Sequence, residues 1–189
     1  MRHSHANRGA AFEAMINHCN MRYENAGIAL INKRPTPVKI LSARGNRVTA
    51  CLQQASTVDY DGFYRQRGIA FEAKSIAEGA RFPLDKLQQH QFDYLSKAHY
   101  IGNVPSFLLV EYAEHRAVFL LPFVKLEMIW KAQSSVRGSR SIHIADMERH
   151  GFEVTPGRVP LDYLAAVDHV WGLTAAEAAA VEAHRGGAR

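Results

Sequence analysis

Six residues, Ile69-Ala70-Phe71-Glu72-Ala73-Lys74, narrow the choice of fold more than any other stretch. Three apolar side chains lead into two charges spaced two apart, and strand geometry sends Glu72 and Lys74 to the same face. A strand this apolar belongs inside a sheet, where an unpaired charge is costly to bury. A little earlier lies a second strand candidate, Thr57 to Tyr64, which contains Thr57-Val58-Asp59-Tyr60-Asp61-Gly62. Alternation places Thr57, Asp59 and Asp61 on one of its faces. Arg65-Gln66-Arg67-Gly68 joins the two runs as a hairpin, so the two charged faces can meet. Converging carboxylates call for a divalent cation, and hard oxygen ligands select Mg²⁺, with Mn²⁺ as a possible substitute. The alternative at this point is a surface hairpin with solvated carboxylates and a lysine paired to one of them.

The flanking sequence supplies a setting for that pair. Phe12, Met15, Ile16, Cys19 and Tyr23 recur at helical spacing between Ala10 and Asn25, and Asn25-Ala26-Gly27 gives the stop. Ile28 to Asn32 is a short strand, and the prolines of Lys33-Arg34-Pro35-Thr36-Pro37 force an extended break before Val38 to Leu41. Ser42 to Gln54 reads as a hairpin turned at Arg44-Gly45-Asn46-Arg47. Leu84, Leu87, Gln91, Tyr94, Leu95 and Ala98 return to helical period, with Gln91 a polar exception on the apolar face. Strands at Ser106–Tyr112 and Ala117–Leu121 form a third pair. Helices follow at Phe123–Ala132, at Ile144–His150, and from Leu161 up to Trp171; a last one is opened by Thr174 with Glu177 in capping-box spacing. This is one α/β domain with a central mixed sheet flanked by helices. Its core covers about residues 7–130, with 42–54 as a short protruding basic hairpin and 131–189 as a C-terminal helical extension.

The net charge of +5 is not spread evenly. Up to Ser75 there are 11 Lys and Arg against 5 Asp and Glu, whereas the remainder holds 12 against 13. One positive surface in the first part of the chain makes nucleic acid the leading partner. Arg8, Lys33, Arg34, Lys39, Arg44, Arg47, Arg65 and Arg67 are the candidate phosphate contacts. Cys19 and Cys51 read as core positions, and no CxxC or CxxH spacing supports zinc. No apolar run approaches the roughly 20 residues that span a bilayer, and the N-terminal stretch lacks the features of a secretory signal, so the expected location is cytoplasmic. Glu13, beside the apolar stripe of the first helix, either joins the site or serves as a capping or surface residue.

Several blocks resemble the RecU-type Holliday junction resolvases of the PD-(D/E)xK nuclease superfamily, and they stand in that family's order. They are Asn7-Arg8-Gly9 leading to Glu13, Lys33-Arg34-Pro35-Thr36-Pro37-Val38, Ser56-Thr57-Val58-Asp59-Tyr60-Asp61-Gly62, Phe71-Glu72-Ala73-Lys74, Phe82-Pro83-Leu84 and His90-Gln91. The resemblance implies a restriction-endonuclease-like (PD-(D/E)xK) fold. It further implies a homodimer that cuts four-way DNA junctions with Mg²⁺ by two symmetric nicks, in recombination and repair alongside other recombination proteins. By position, Thr57, Asp59, Glu72 and Gln91 match the family's metal site and Lys74 its transition-state stabiliser, so Asp59, Glu72 and Lys74 are the catalytic candidates, with Glu13 beside them. Asp61 stands where the family usually has Asn, and is a further ligand, a rival to Asp59 or a turn residue. The 42–54 hairpin is short relative to the family's stalk. Two other readings share these residues: a less selective nuclease for branched or flap DNA, and a binding module that holds branched DNA without cutting it.

Overall fold

The computed structural model describes residues 5–52, 57–133 and 139–172. A long first helix, α1 (His5–Asn25), ends at Gly27, whose φ of +65° suits a residue without a Cβ. Phe12, Ile16, Cys19 and Tyr23 form its buried stripe, whereas Met15, expected among them, is 45% exposed. Strand β1 (Ala29–Lys33) follows, then the hairpin β2 (Val38–Arg44) and β3 (Arg47–Leu52). The central hairpin is β4 (Tyr60–Tyr64) and β5 (Arg67–Ile76). Next come the short β6 (Arg81–Pro83), a single 3-10 turn at Leu84–Lys86 and α2 (Gln89–Tyr100). The remaining elements are β7 (Ser106–Tyr112), β8 (Ala117–Pro122), α3 (Phe123–Ala132), β9 (Ser141–His143), α4 (Ile144–His150), β10 (Phe152–Glu153) and α5 (Tyr163–Trp171).

Six strands form the central sheet in the order β1-β4-β5-β7-β8-β10. The β5–β7 pair is parallel and every other neighbouring pair is antiparallel, so the sheet is mixed, as expected. The parallel step needs a crossover, and α2 supplies it. Alternation along the apolar strands feeds two cores. Phe71, Ala73, Phe107, Leu109 and Leu120 pack with the stripes of α1 and α5. Leu108, Val110, Phe119 and Leu121 pack on the other face with α2, α3 and α4. Phe71 stacks between Tyr60 and Phe107 at centroid distances of 4.8 and 4.9 Å, which ties three adjacent strands together. Gly62 is required where it stands: a Cβ there would meet the Leu30 carbonyl oxygen at 2.1 Å and Ile31 Cα at 2.7 Å, both backbone atoms.

Several sequence expectations are corrected. The β2–β3 hairpin begins at Val38 rather than Ser42, because the proline break ends at Pro37 and nothing after it stops an extended run. Its register slips once between Ile40 and Ser42. That bulge at Leu41 keeps Ile40 with Ala50 and Ala43 with Val48 on one apolar face, and Lys39 with Cys51, Ser42 with Thr49, and Arg44 with Arg47 on the polar one. Both faces are exposed, Cys51 included, so Cys51 is not a core residue. Beyond residue 130, β9 pairs with β6, β10 pairs with β8, and Val159, Leu161, Tyr163, Leu164 and Val167 are buried in the α1-side core. The described part of the C-terminal extension therefore carries strands as well as helices and packs into the same core as α1. The helix expected from Thr174 and the hairpin's last residues, Gln53 and Gln54, lie outside the described residues, as do the Arg8 side chain and Ser56.

Candidate active site

Glu72 is fully buried at the centre of β5, on the face that meets α2. Three donors satisfy its carboxylate. The Asp59 backbone N–H reaches Oε2 at 3.0 Å, while Lys74 Nζ and Gln91 Nε2 both reach Oε1 at 2.5 Å. Burial pushes the Glu72 carboxyl up to about 8 from an ordinary 4.5, with Lys74 pulling it back and Asp59 adding to the rise. A carboxyl raised this far by burial, with a second carboxylate beside it, marks the cluster as a candidate site.

Each partner is held by local structure. Lys74 lies two residues along the same strand, as its spacing requires. Gln91 is the third residue of α2, where its Oε1 accepts the Gln88 backbone N–H at 3.0 Å. With the oxygen so engaged, the amide nitrogen faces Glu72, so Gln91 enters the site as a hydrogen-bond donor to Glu72. Asp59 approaches from a bend before β4, not from within a strand as expected; β4 starts at Tyr60. Its Oδ2 accepts the Ala73 N–H at 3.1 Å, so Asp59 and Glu72 are laced together across β5 by two backbone–carboxylate bonds. Because 57–59 is not extended, Thr57, Asp59 and Asp61 do not share a face. Asp59 turns toward Glu72, whereas Asp61 pairs with Arg34 Nε at 2.7 Å and the Thr57 hydroxyl accepts from Arg34 Nη1.

The Glu13 carboxylate is engaged by a lysine outside this cluster. Glu13 lies on α1 and pairs with Lys33 Nζ at 2.5 Å, and its backbone carbonyl accepts from the Tyr60 hydroxyl. Among the basic candidates, Lys33 pairs with Glu13, Arg34 with Asp61, and Arg65 with Asp168 at 2.9 Å. Lys39, Arg44 and Arg47 stand exposed on the β2–β3 hairpin, and Arg67 is exposed at the start of β5. Sequence reasoning took Arg34 and Arg65 as surface charges because their acidic partners are 27 and 103 residues away along the chain.

The donor set suits a small hard cation. Among the described residues no three His, Cys, Asp or Glu side chains converge. Two carboxylates do, and Mg²⁺ takes one or two carboxylates and completes its shell with water and substrate phosphate. Asp59 and the buried Glu72 would hold it, with Gln91 and Lys74 fixing Glu72 in place.

The family model RecU, Recombination protein U, matches residues 7–169. A Holliday junction resolvase RecU of Streptococcus suis (strain 05ZYH33) is 34% identical over 170 residues, covering 86% of this chain and 81% of that protein. A Holliday junction resolvase RecU of Geobacillus sp. (strain WCH70) is 34% identical over 175 residues, covering 89% and 86%. Among solved structures, Archaeoglobus fulgidus Hjc, a Holliday junction resolvase, is similar with a TM-score of 0.44 at 10% identity, over 75% of this chain and 94% of that one.

Proposed function

The chain belongs to the RecU family, and from that membership we propose that it is a structure-selective endodeoxyribonuclease that resolves four-way DNA junctions with Mg²⁺. The observation that carries the reading is the buried Glu72 carboxylate, held between Asp59, Lys74 and Gln91. Mg²⁺ when bound supplies Lewis acidity at the scissile phosphate and makes hydroxide available near neutral pH. The protein supplies the rest. Lys74, anchored on Glu72, offsets charge that grows on the phosphoryl oxygens. Gln91 and the Ala73 N–H lock the Glu72 and Asp59 carboxylates in one orientation, so no reorganisation is needed at the moment of reaction. A four-way junction has two-fold symmetry, and two paired nicks call for two copies of the site, which a symmetric homodimer provides. The exposed Lys39, Arg44 and Arg47 would meet phosphates, which positions DNA by shape without reading its sequence. A cytoplasmic site of action, with other recombination proteins at hand, goes with this reading; no helix among the described residues is long and apolar enough to cross a membrane.

The test is cleavage of an end-labelled synthetic four-way junction beside flap, fork and linear duplex, with Mg²⁺, Mn²⁺ or EDTA. Paired metal-dependent nicks confined to the junction are expected, and Glu72→Gln should slow them by about 10²-fold or more while junction binding persists. Binding without nicks under either metal would leave a non-catalytic junction-binding module. Nicks in every branched substrate would leave a nuclease without junction selectivity.

A further inference from the structure

Arg34 follows β1 directly and makes three contacts that converge on one short segment and a fourth to α2. Its backbone N–H donates to the Asp59 carbonyl oxygen at 2.7 Å. Its Nε donates to Asp61 Oδ2 at 2.7 Å and its Nη1 to the Thr57 hydroxyl. Its guanidinium lies over the Tyr94 ring, 5.0 Å from the centroid, and Tyr94 belongs to the same helix as Gln91. Thr57 and Asp61 bracket Asp59 by two residues on each side. One guanidinium thus grips the segment fore and aft of Asp59 and braces it against α2, the element that orients Glu72. Arg34 and Asp61 are each about two-thirds buried at the side chain, at 34% and 33% exposure. Each of the two edges by which a guanidinium grips a phosphate already has one donor committed, Nε to Asp61 and Nη1 to Thr57.

We infer that Arg34 and Asp61 form a strut that positions the Asp59-bearing loop against α2, and that Arg34 is a positioning residue and not a phosphate contact. Asp61 is accordingly neither a further metal ligand nor a rival to Asp59; it is the anchor on which Arg34 pulls. The consequence for catalysis rests on the nuclease reading, but the consequence for the loop does not.

Two variants separate the strut from a DNA contact, because neither removes positive charge. Arg34→Lys keeps the charge and loses the fork; Asp61→Asn is isosteric and removes a negative charge near DNA. A strut predicts that both slow nicking about tenfold at saturating junction, while the junction Kd measured in EDTA stays within about twofold. The double variant should be no slower than the slower single, since the two changes break one interaction. A phosphate contact predicts near wild-type rates for Arg34→Lys, and equal or tighter binding with undiminished rates for Asp61→Asn; that pattern would overturn the inference. Amide hydrogen exchange in EDTA without DNA supplies the second readout. The Asp59 and Ala73 N–H groups, which lace the site together, should exchange about tenfold faster in both variants. Unchanged exchange would overturn the strut, and faster exchange with undiminished nicking would overturn its role in positioning. If the wild type nicks nothing, the nuclease reading fails by itself and the exchange arm alone decides the strut.

Discussion

At the scale of single residues, Glu72 is the most consequential group in the chain. Its folded-state pKa lies above its ordinary 4.5, near 8, chiefly because burial disfavours the charged form. The folded protein therefore binds a proton that the unfolded chain has already released across that window. The Glu72 contribution to stability falls as pH rises from about 4.5 to about 8, and levels off above it. Glu72→Gln abolishes that term. In EDTA its Tm relative to wild type should rise steadily over the window, and a Tm difference independent of pH would refute the assignment. Much of this was legible in the sequence: Glu72 and Lys74 share a face because they are two apart, and Gln91 stood out as polar in an apolar stripe. The environment of Asp59 was not. Alternation applies only within a strand, and the chain bends before Tyr60, so Asp59 and Asp61 were grouped on one face when they point to different partners. Lys33, Arg34 and Arg65 looked available for DNA because ion pairs between remote segments leave no local pattern.

At the scale of elements, the β2–β3 hairpin is the piece least explained by the body it leaves. Val38, Ile40 and Val48 are 51%, 62% and 56% exposed, and its other face carries Lys39, Arg44 and Arg47. An isolated two-stranded hairpin is only marginally stable, so such a ribbon is expected to gain order when it meets a partner. On the junction-resolvase reading the basic face meets phosphate. Arg44→Ala with Arg47→Ala should weaken junction binding in EDTA and lower the slope of log K against log salt by about 2, one for each released contact. A salt slope equal to wild type would remove the hairpin from the DNA interface. The turn at Gly45-Asn46 was readable because turn chemistry is local. The strand start at Val38 and the bulge at Leu41 were not, since register is fixed across the ladder. The same holds for β6, β9 and β10, which are too short to show a period and exist only because distant segments supply the other half of each ladder.

At the scale of the whole molecule, the two ends of the described chain are fastened together. Asp162, 3% exposed, accepts from the Tyr23 hydroxyl at 2.8 Å, from Arg158 Nη2 at 2.8 Å and from the Ala165 N–H at 3.2 Å. Beside it, Asp168 accepts from Tyr64 and Arg65, at the tip of the central hairpin. Burial alone would raise the Asp162 pKa, but the Arg158 fork and the Tyr23 hydroxyl outweigh it and hold the carboxyl below its ordinary 3.8. Its contribution is therefore full above that value and is lost as pH falls through the depressed one. Asp162→Ala leaves Arg158 and Tyr23 without their acceptor, and should cost about 3 kcal/mol in urea unfolding at neutral pH, with the deficit shrinking in strong acid. A loss below about 1 kcal/mol would show that water replaces the carboxylate. The sheet and its flanking helices were legible from periodicity, whereas the buried role of residues 159–167 was not, because no local signal says which face a late helix will cover. That late covering also bears on synthesis. The first helix leaves the ribosome long before Asp162, Tyr163 and Asp168 are translated, so its apolar stripe must wait for them, half-seated, through most of the chain's elongation. The α1-side core of this protein therefore closes only after Trp171 has been made, so the earliest helix and the late helix α5 meet at the end of folding rather than at its start.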